Sequence, residues 1–354
     1  MTDALDRAME FAESHGLQVP ILMAPMAGAC PVSLASAVAD AGGMGACGAL
    51  LMDGDGIADW ANQMRRASNG AFMLNTWVPD PEPVRDETHE DRLREWLENW
   101  GPAVPPAELK GPAFEDQCAA MIAAGPTVIS SIMGLFRPDV VAEMKSRGIR
   151  WFATVTTVAE AVAAQTAGAD VLIAQGAEAG GHRGAFHAED ALAKSVGLFS
   201  LLPAVVAASD VPVVAAGGIA DGRSMAAALV LGASGVVVGT ALLRSPEAGI
   251  APAWADAIGR AAPEDTTPTR AFSGRLGRAI ATRYVTSAAQ PQSPEPAPYP
   301  VQRALTGPMR AAAAKRGDID AMQAWAGQSA QFAKTDSATK IVRTMWDDAR
   351  AILG

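Results

Sequence analysis

Cysteine is scarce, with three in 354 residues: Cys30, Cys47 and Cys118. They are widely spaced, and an odd number of thiols cannot all pair within one chain. No Cys-x-x-Cys or Cys/His cluster at ligand spacing occurs, so neither a disulfide framework nor a metal site is expected. Cys30 and Cys47 read as small buried residues rather than redox groups. No uninterrupted apolar run of about 20 residues occurs, which argues against a membrane span. The opening Met1-Thr2-Asp3-Ala4-Leu5-Asp6 lacks the basic-then-apolar order of a signal peptide. Positive charge is also in deficit, 28 Lys and Arg against 38 Asp and Glu, net −10. No stretch clusters Lys and Arg with aromatics, so a nucleic-acid groove is not expected. These absences leave a protein of the reducing cytoplasm, long enough for one large domain or two medium ones.

What the chain does have is alternation. Short apolar runs at 20–24, 45–50, 71–76, 127–131, 150–154, 170–174, 211–215 and 235–238 read as strands. Amphipathic stretches at 31–41, 57–67, 138–147, 157–166 and 224–231 read as helices between them. Such alternation implies βαβ crossovers and a parallel sheet. Eight units over roughly 250 residues match the (β/α)8 TIM barrel, with a doubly wound open sheet as the alternative. Residues 79–111, rich in Pro, Glu and Trp, form an insertion after strand 3 on the catalytic face, with a short helix at 88–100. Beyond residue 245 the β-runs stop, and helical stretches alternate with a Pro-rich linker at 290–300 that wraps the barrel surface. The expected organisation is a barrel in residues 1–245 and a helical extension in 246–354 that forms part of a substrate-side cap.

The most informative loop is Ala174-Gln175-Gly176-Ala177-Glu178-Ala179-Gly180-Gly181-His182-Arg183-Gly184, after the sixth strand. Its glycines let a ligand approach the backbone, and His182 titrates near neutrality. Catalytic groups of a barrel sit on such strand-end loops. The seventh strand runs into Gly217-Gly218 and then a helix, and the eighth runs through Val238 into Gly239-Thr240. In barrels these two loops, with a helix N-terminus, commonly hold phosphate. Carboxamides at Asn75 and Gln175 can donate and accept along a polar ring. No Gly-x-Gly-x-x-Gly follows the first strand, where Ala24-Pro25-Met26-Ala27-Gly28 stands instead. FMN is therefore favoured over FAD or NAD.

These strings resemble those of the nitronate monooxygenases, FMN-dependent barrels formerly called 2-nitropropane dioxygenases. The likeness rests on Ala24-Pro25-Met26-Ala27-Gly28, on Gln175 through Gly184, on Ala215-Ala216-Gly217-Gly218-Ile219 and on Gly232 through Thr240. It continues in Ala271-Phe272-Ser273-Gly274-Arg275, Tyr299-Pro300-Val301-Gln302 and Trp325-Ala326-Gly327-Gln328. The resemblance implies an FMN phosphate on Gly217, Gly218, Gly239 and Thr240, with Gly181 and Val238 beside the cofactor. It implies a flavin ring held by Met23, Asn75, Gln175 and Gly180, and His182 as the catalytic residue, which either removes the α-proton of a nitroalkane or binds its nitro group. The implied reaction is oxidation of an alkyl nitronate by O2 to a carbonyl compound and nitrite. One departure matters: where many members carry a second histidine, this chain has Ile132 in Ile129-Ser130-Ser131-Ile132-Met133-Gly134. A more apolar substrate pocket is expected.

Other residues carry plainer readings. Arg183 either grips a substrate anion or pairs with a neighbouring carboxylate, and Glu178 holds its loop through backbone amides. His15, His89 and His187 are expected in solvent, and Trp77, Trp96 and Trp100 either line the entrance or pack the cap. The partners expected are a small-molecule substrate and O2, with a homodimer left open. Two other functions stand beside the leading one: an NAD(P)H-dependent quinone or enoyl-thioester reductase, and a non-catalytic phosphate-ligand-binding barrel.

Overall fold

The computed structural model describes residues 3–109 and 111–354. Its strands in chain order are β1 (Ile21–Met23), β2 (Gly45–Gly48), β3 (Phe72–Trp77), β4 (Val128–Ile132), β5 (Arg150–Val155) and β6 (Val171–Gln175). Then follow β7 (Gly181–His182), β8 (Val213–Ala216), β9 (Gly235–Val238), β10 (Thr266–Thr269) and β11 (Gly277–Ile280). Eight of them form one parallel sheet in the order β1-β9-β8-β6-β5-β4-β3-β2. A parallel bridge between Leu22 and Met44, just before β2, joins the two ends of that sheet. The result is the (β/α)8 barrel rather than an open doubly wound sheet. Runs such as Val171-Leu172-Ile173-Ala174-Gln175 are buried throughout, because barrel strands face a packed interior on one side and helices on the other.

The connecting helices start where side chains can cap them. Asp53 accepts from the Gly56 amide at 2.9 Å, Thr157 from Glu160 at 3.2 Å, and Asp221 from Ser224 at 2.9 Å. The first helix, Ala4–Ser14, buries Ala8 and Phe11 against the barrel, with Phe11 beside Gly235 at the start of β9. It also buries His15, contrary to the expectation of a solvated side chain. That ring lies 4.4 Å from Phe11 and 5.2 Å from Phe152, with Nδ1 2.8 Å from the Phe11 carbonyl. Burial lowers its pKa, so it sits in the core uncharged. His187 is exposed, whereas His89 is half-buried with Nε2 2.8 Å from the Glu295 carbonyl.

Two features of the C-terminal third differ from the sequence reading. The β-runs do not stop at 245, because β10 and β11 form an antiparallel sheet with β7 in the order β10-β11-β7. His182 pairs with Gly277 and Gly181 with Arg278, so His182 stands on a strand edge rather than in a free loop. These short runs escape periodicity because their partners are distant in sequence. The insertion and the extension also share a second core. Leu93 and Leu97 of the helix Glu87–Leu97 pack with Phe272, Tyr284, Val301, Leu305 and Met309. The 290–300 stretch belongs there too, through Ala297. Trp96 and Trp100 pack on Tyr284, at 5.6 and 5.4 Å between ring centres. The last helix, Ala338–Leu353, returns to the barrel wall against Gly222–Val230. A Cβ on Gly222 would stand 2.4 Å from that of Asp348, so only glycine allows that approach.

Candidate active site

A cavity of about 640 Å³ opens at the C-terminal ends of the barrel strands. Asn75, Ile132, Gln175, Gly180, Gly181, His182, Gly217, Gly218, Gly239 and Thr240 all line it. Met23 and Val238 do not. They pair with each other between β1 and β9 in the core, and their neighbours Ala24, Val237 and Gly239 reach the cavity instead. Arg183 is also withdrawn from it. The buried guanidinium donates to the carbonyls of Gln175 and Thr156, so it holds neither a substrate anion nor a carboxylate. Both faces of a strand are occupied here: His182 points to the cavity and Arg183, next in the chain, points away.

The carboxamides serve the protein more than was expected. Gln175 Nε2 donates to the His182 carbonyl at 3.0 Å, and its Oε1 accepts from the Gly184 amide at 2.8 Å. Gln175 thus clamps the strand that carries His182, and one N–H and one lone pair of its carboxamide remain at the cavity. Asn75 Nδ2 donates to the Ser130 carbonyl and hydroxyl at 3.1 and 2.9 Å, which leaves its oxygen as the free end. Glu178 accepts the Leu198 amide at 2.9 Å, the loop-holding role assigned to it. Ile132 ends β4 ahead of Met133, whose φ of 68° lies in the left-handed region that a buried methionine seldom adopts.

His182 is the only titratable group with a free ring nitrogen that faces this cavity among the described residues. Its ring lies edge-on to Trp77 at 4.6 Å and tilted to Trp325 at 4.8 Å. Nε2 stands 2.7 Å from the Ser273 hydroxyl. Desolvation between the indoles, then the charges of Arg303, Arg275 and Arg310, push its pKa down to about 3. The imidazole is therefore neutral at physiological pH and holds a lone pair. Ser273 is fixed in turn by Arg275, whose guanidinium forms a buried ion pair with Asp80 and donates to the Ala185 carbonyl at 2.8 Å.

The opposite part of the cavity is made of backbone. The amides of Gly217, Gly218, Gly239 and Thr240 have no acceptor among the described residues. Gly217 and Gly218 have φ of 108° and 71°, as their sharp turn demands. In the helix that follows, Asp221 caps the Ser224 amide, and Gly222, Arg223 and Ser224 are not part of the cavity lining. A C-terminal segment closes the cradle instead. Thr240 Oγ1 accepts from the Gly327 amide at 3.0 Å, and Ser329 Oγ donates to the Gly218 carbonyl at 2.7 Å. Beside it, a Cβ built on Gly181 meets nothing within 4 Å, so that backbone lies open to a ligand.

A barrel mouth with a neutral histidine at one end and free amides at the other narrows the comparison. The family model for nitronate monooxygenase matches residues 10–348. The chain belongs to the nitronate monooxygenase family. It is 38% identical over 336 residues to a nitronate monooxygenase of Paraburkholderia phytofirmans, covering 92% of this chain and 91% of that one. A nitroalkane oxidase from Streptomyces ansochromogenes superposes with a TM-score of 0.89 at 34% identity, covering 97% of this chain and all of that one. FabK from Thermotoga maritima superposes less closely, at 0.76 and 26% identity over 98% of this chain and 96% of that one. Like the other nitronate monooxygenase family members, this chain is an oxidoreductase.

Several residues of this nitronate monooxygenase family site carry no signal that spacing alone reveals. Ser273, Trp325, Gly327 and Ser329 come from the extension, as do Arg303 and Arg310 in the cavity lining. The strings Ala271 through Arg275 and Trp325 through Gln328 marked the family without marking these contacts. Trp77 was one of three entrance candidates and is the one of them that reaches the cavity.

Proposed function

We propose that the chain is an FMN-dependent monooxygenase that oxidises alkyl nitronates with O2 to the carbonyl compound and nitrite. The reading is carried by one observation: a neutral, desolvated imidazole faces a cavity that also contains an open backbone cradle for an anion. The cradle fits FMN, because free amides at Gly217, Gly218, Gly239 and Thr240 would hold its phosphate. The open backbone at Gly181, with Gly180 and the Asn75 oxygen, would lie along its ring. Bound there, the flavin supplies the electron acceptor that passes reducing equivalents to O2. Two nitronate anions and one O2 yield two carbonyl compounds and two nitrite ions, so the overall reaction balances without an added reductant.

The protein's own part is acid–base and exclusion. His182 accepts the α-proton of a neutral nitroalkane, which converts it to the oxidisable anion. Trp77, Trp325 and Ile132 keep that carbon out of water. The likeness to FabK supports a second reading, an NAD(P)H-dependent enoyl-thioester reductase on this scaffold. Anaerobic mixing of the yellow holoenzyme separates the two. Rapid bleaching by a nitronate, with none by NADH or NADPH, is the expected result. Bleaching by the nicotinamides and none by any nitronate would overturn it.

A further inference from the structure

The lining of the cavity contains two guanidiniums, Arg303 and Arg310, and no carboxylate among the described residues. Their situations differ. Arg310 is tied at all three nitrogens: Nε donates to Thr306 Oγ1 at 3.0 Å, Nη1 to Gln323 Oε1 at 2.8 Å, and Nη2 to the carbonyl of Arg303 at 2.8 Å. Arg303 lends only that carbonyl. Its own guanidinium has no hydrogen bond or ion pair among the described residues, although it is half-buried on the helix Val301–Leu305. A second cation, Arg310, lies near it and lines the same cavity. A cavity-lining guanidinium with no protein partner has its N–H donors free for an anionic ligand.

Arg303 lines the same cavity as His182, Trp77, Ile132 and Trp325. Guanidinium is a planar fork of N–H donors, matched to a planar anion with two oxygens. The nitronate head, C=NO2⁻, is such an anion, whereas a neutral nitroalkane carries no net charge. We propose that Arg303 binds the nitronate head of the substrate and makes the enzyme select the anion over its neutral conjugate acid. Arg310 positions it, by holding the Arg303 carbonyl and filling the space to which the guanidinium could otherwise retreat. This rests on the nitronate reading above and assigns the residue that senses the charge.

The test uses the holoenzyme with Arg303→Met and Arg303→Lys. Steady-state O2 uptake is followed with ethylnitronate, which carries no other charge, and with neutral nitroethane. Arg303→Met is expected to raise KM for the nitronate about 10- to 100-fold, the scale of a charge-assisted hydrogen bond. It should change kcat for the nitronate much less. With nitroethane the loss should fall on kcat, because proton removal by His182 develops the same anion, while KM stays within about 2-fold. Arg303→Lys should recover part of the loss. An unchanged KM for ethylnitronate, or an equal rise in KM for both substrates, would overturn the assignment while the nitronate reading stood. Calorimetric titration with nitrate, a planar anion that is not turned over, separates the two failures. If the wild type oxidises no nitronate, the functional reading falls, yet loss of nitrate binding in Arg303→Met still supports the anion site. Equal nitrate binding by both proteins overturns it. Thermal melts should show the Met variant at least as stable as the wild type, since the removed guanidinium has no hydrogen bond or ion pair among the described residues.

Discussion

His182 Nε2 and Ser273 Oγ stand 2.7 Å apart across 91 residues of chain. The serine hydroxyl also donates to the Arg275 carbonyl at 3.2 Å, which uses its one hydrogen. Ser273 therefore accepts from Nε2–H, and the lone pair of the neutral ring falls on Nδ1. The proposed base is thus a particular atom, selected by a residue 91 positions further along the sequence.

Replacing His182 by Asn removes that lone pair. Turnover of neutral nitroalkanes should fall roughly 100- to 10,000-fold, the usual contribution of a positioned general base. Preformed nitronates, which need no proton removed, should lose far less. O2 uptake with matched nitroalkane and nitronate pairs measures this, and intact nitroalkane turnover would refute the assignment.

Ser273→Ala tests the positioning role. A kcat decrease of about tenfold with little change in KM is expected, from the loss of one hydrogen bond of roughly 1 kcal/mol and a mixture of ring tautomers. ¹⁵N chemical shifts of the imidazole should show Nε2 protonated in the wild type and mixed in the variant. Ser273→Thr, which keeps the hydroxyl, should restore both.

The pH dependence has a definite sign. The native pKa of His182 lies at about 3, below the ordinary 6.5 that applies when the chain is unfolded. Between those values the unfolded chain binds a proton that the native ring refuses. Its contribution is complete above pH 6.5 and is lost as pH falls towards about 3. His15 acts in the same direction, so the difference in melting temperature between wild type and His182→Asn isolates the site. That difference should grow in the variant's favour on acidification. No acid limb of kcat/KM from His182 should appear near pH 6.5.

Asp80→Asn leaves Arg275, 1% exposed, without its counter-charge. A loss of about 3–5 kcal/mol is expected, as for other broken buried pairs. Because Arg275 also fixes Ser273, activity should fall with stability. Urea unfolding and turnover of the same preparation report both.

Gly180→Ala tests the closure of the cradle. The added Cβ would lie 2.5 Å from the Gly327 nitrogen and 2.6 Å from the Ala326 carbonyl carbon, and backbone cannot yield as a side chain can. The segment that donates to Thr240 should be displaced and FMN affinity should fall about tenfold or more, a cost of at least about 1.4 kcal/mol. Quenching of flavin fluorescence measures it. Gly181→Ala meets no protein atom, so its cost should come from its φ of 75° and from any ligand at that face.

By itself the sequence determined the barrel, because strand and helix periods are local properties of consecutive residues. All eight barrel strands lie where their apolar runs predicted, within a few residues. It also determined the glycine loops and the place of His182, since a close-approach turn and a lone titratable group are visible in a short string. What the tertiary structure decided is which atoms those residues use. Arg183 read as a substrate group, yet it is buried away from the cavity on the carbonyls of Gln175 and Thr156, and Gln175 spends part of its carboxamide on His182 and Gly184. Asp221 caps a helix whose N-terminus seemed free for phosphate. The state of His182 depends on Ser273, Trp325 and Arg303, and its strand partner on Gly277. Desolvation, hydrogen-bond saturation and field are sums over neighbours in space, and those neighbours lie some ninety to over one hundred and forty residues away along the chain.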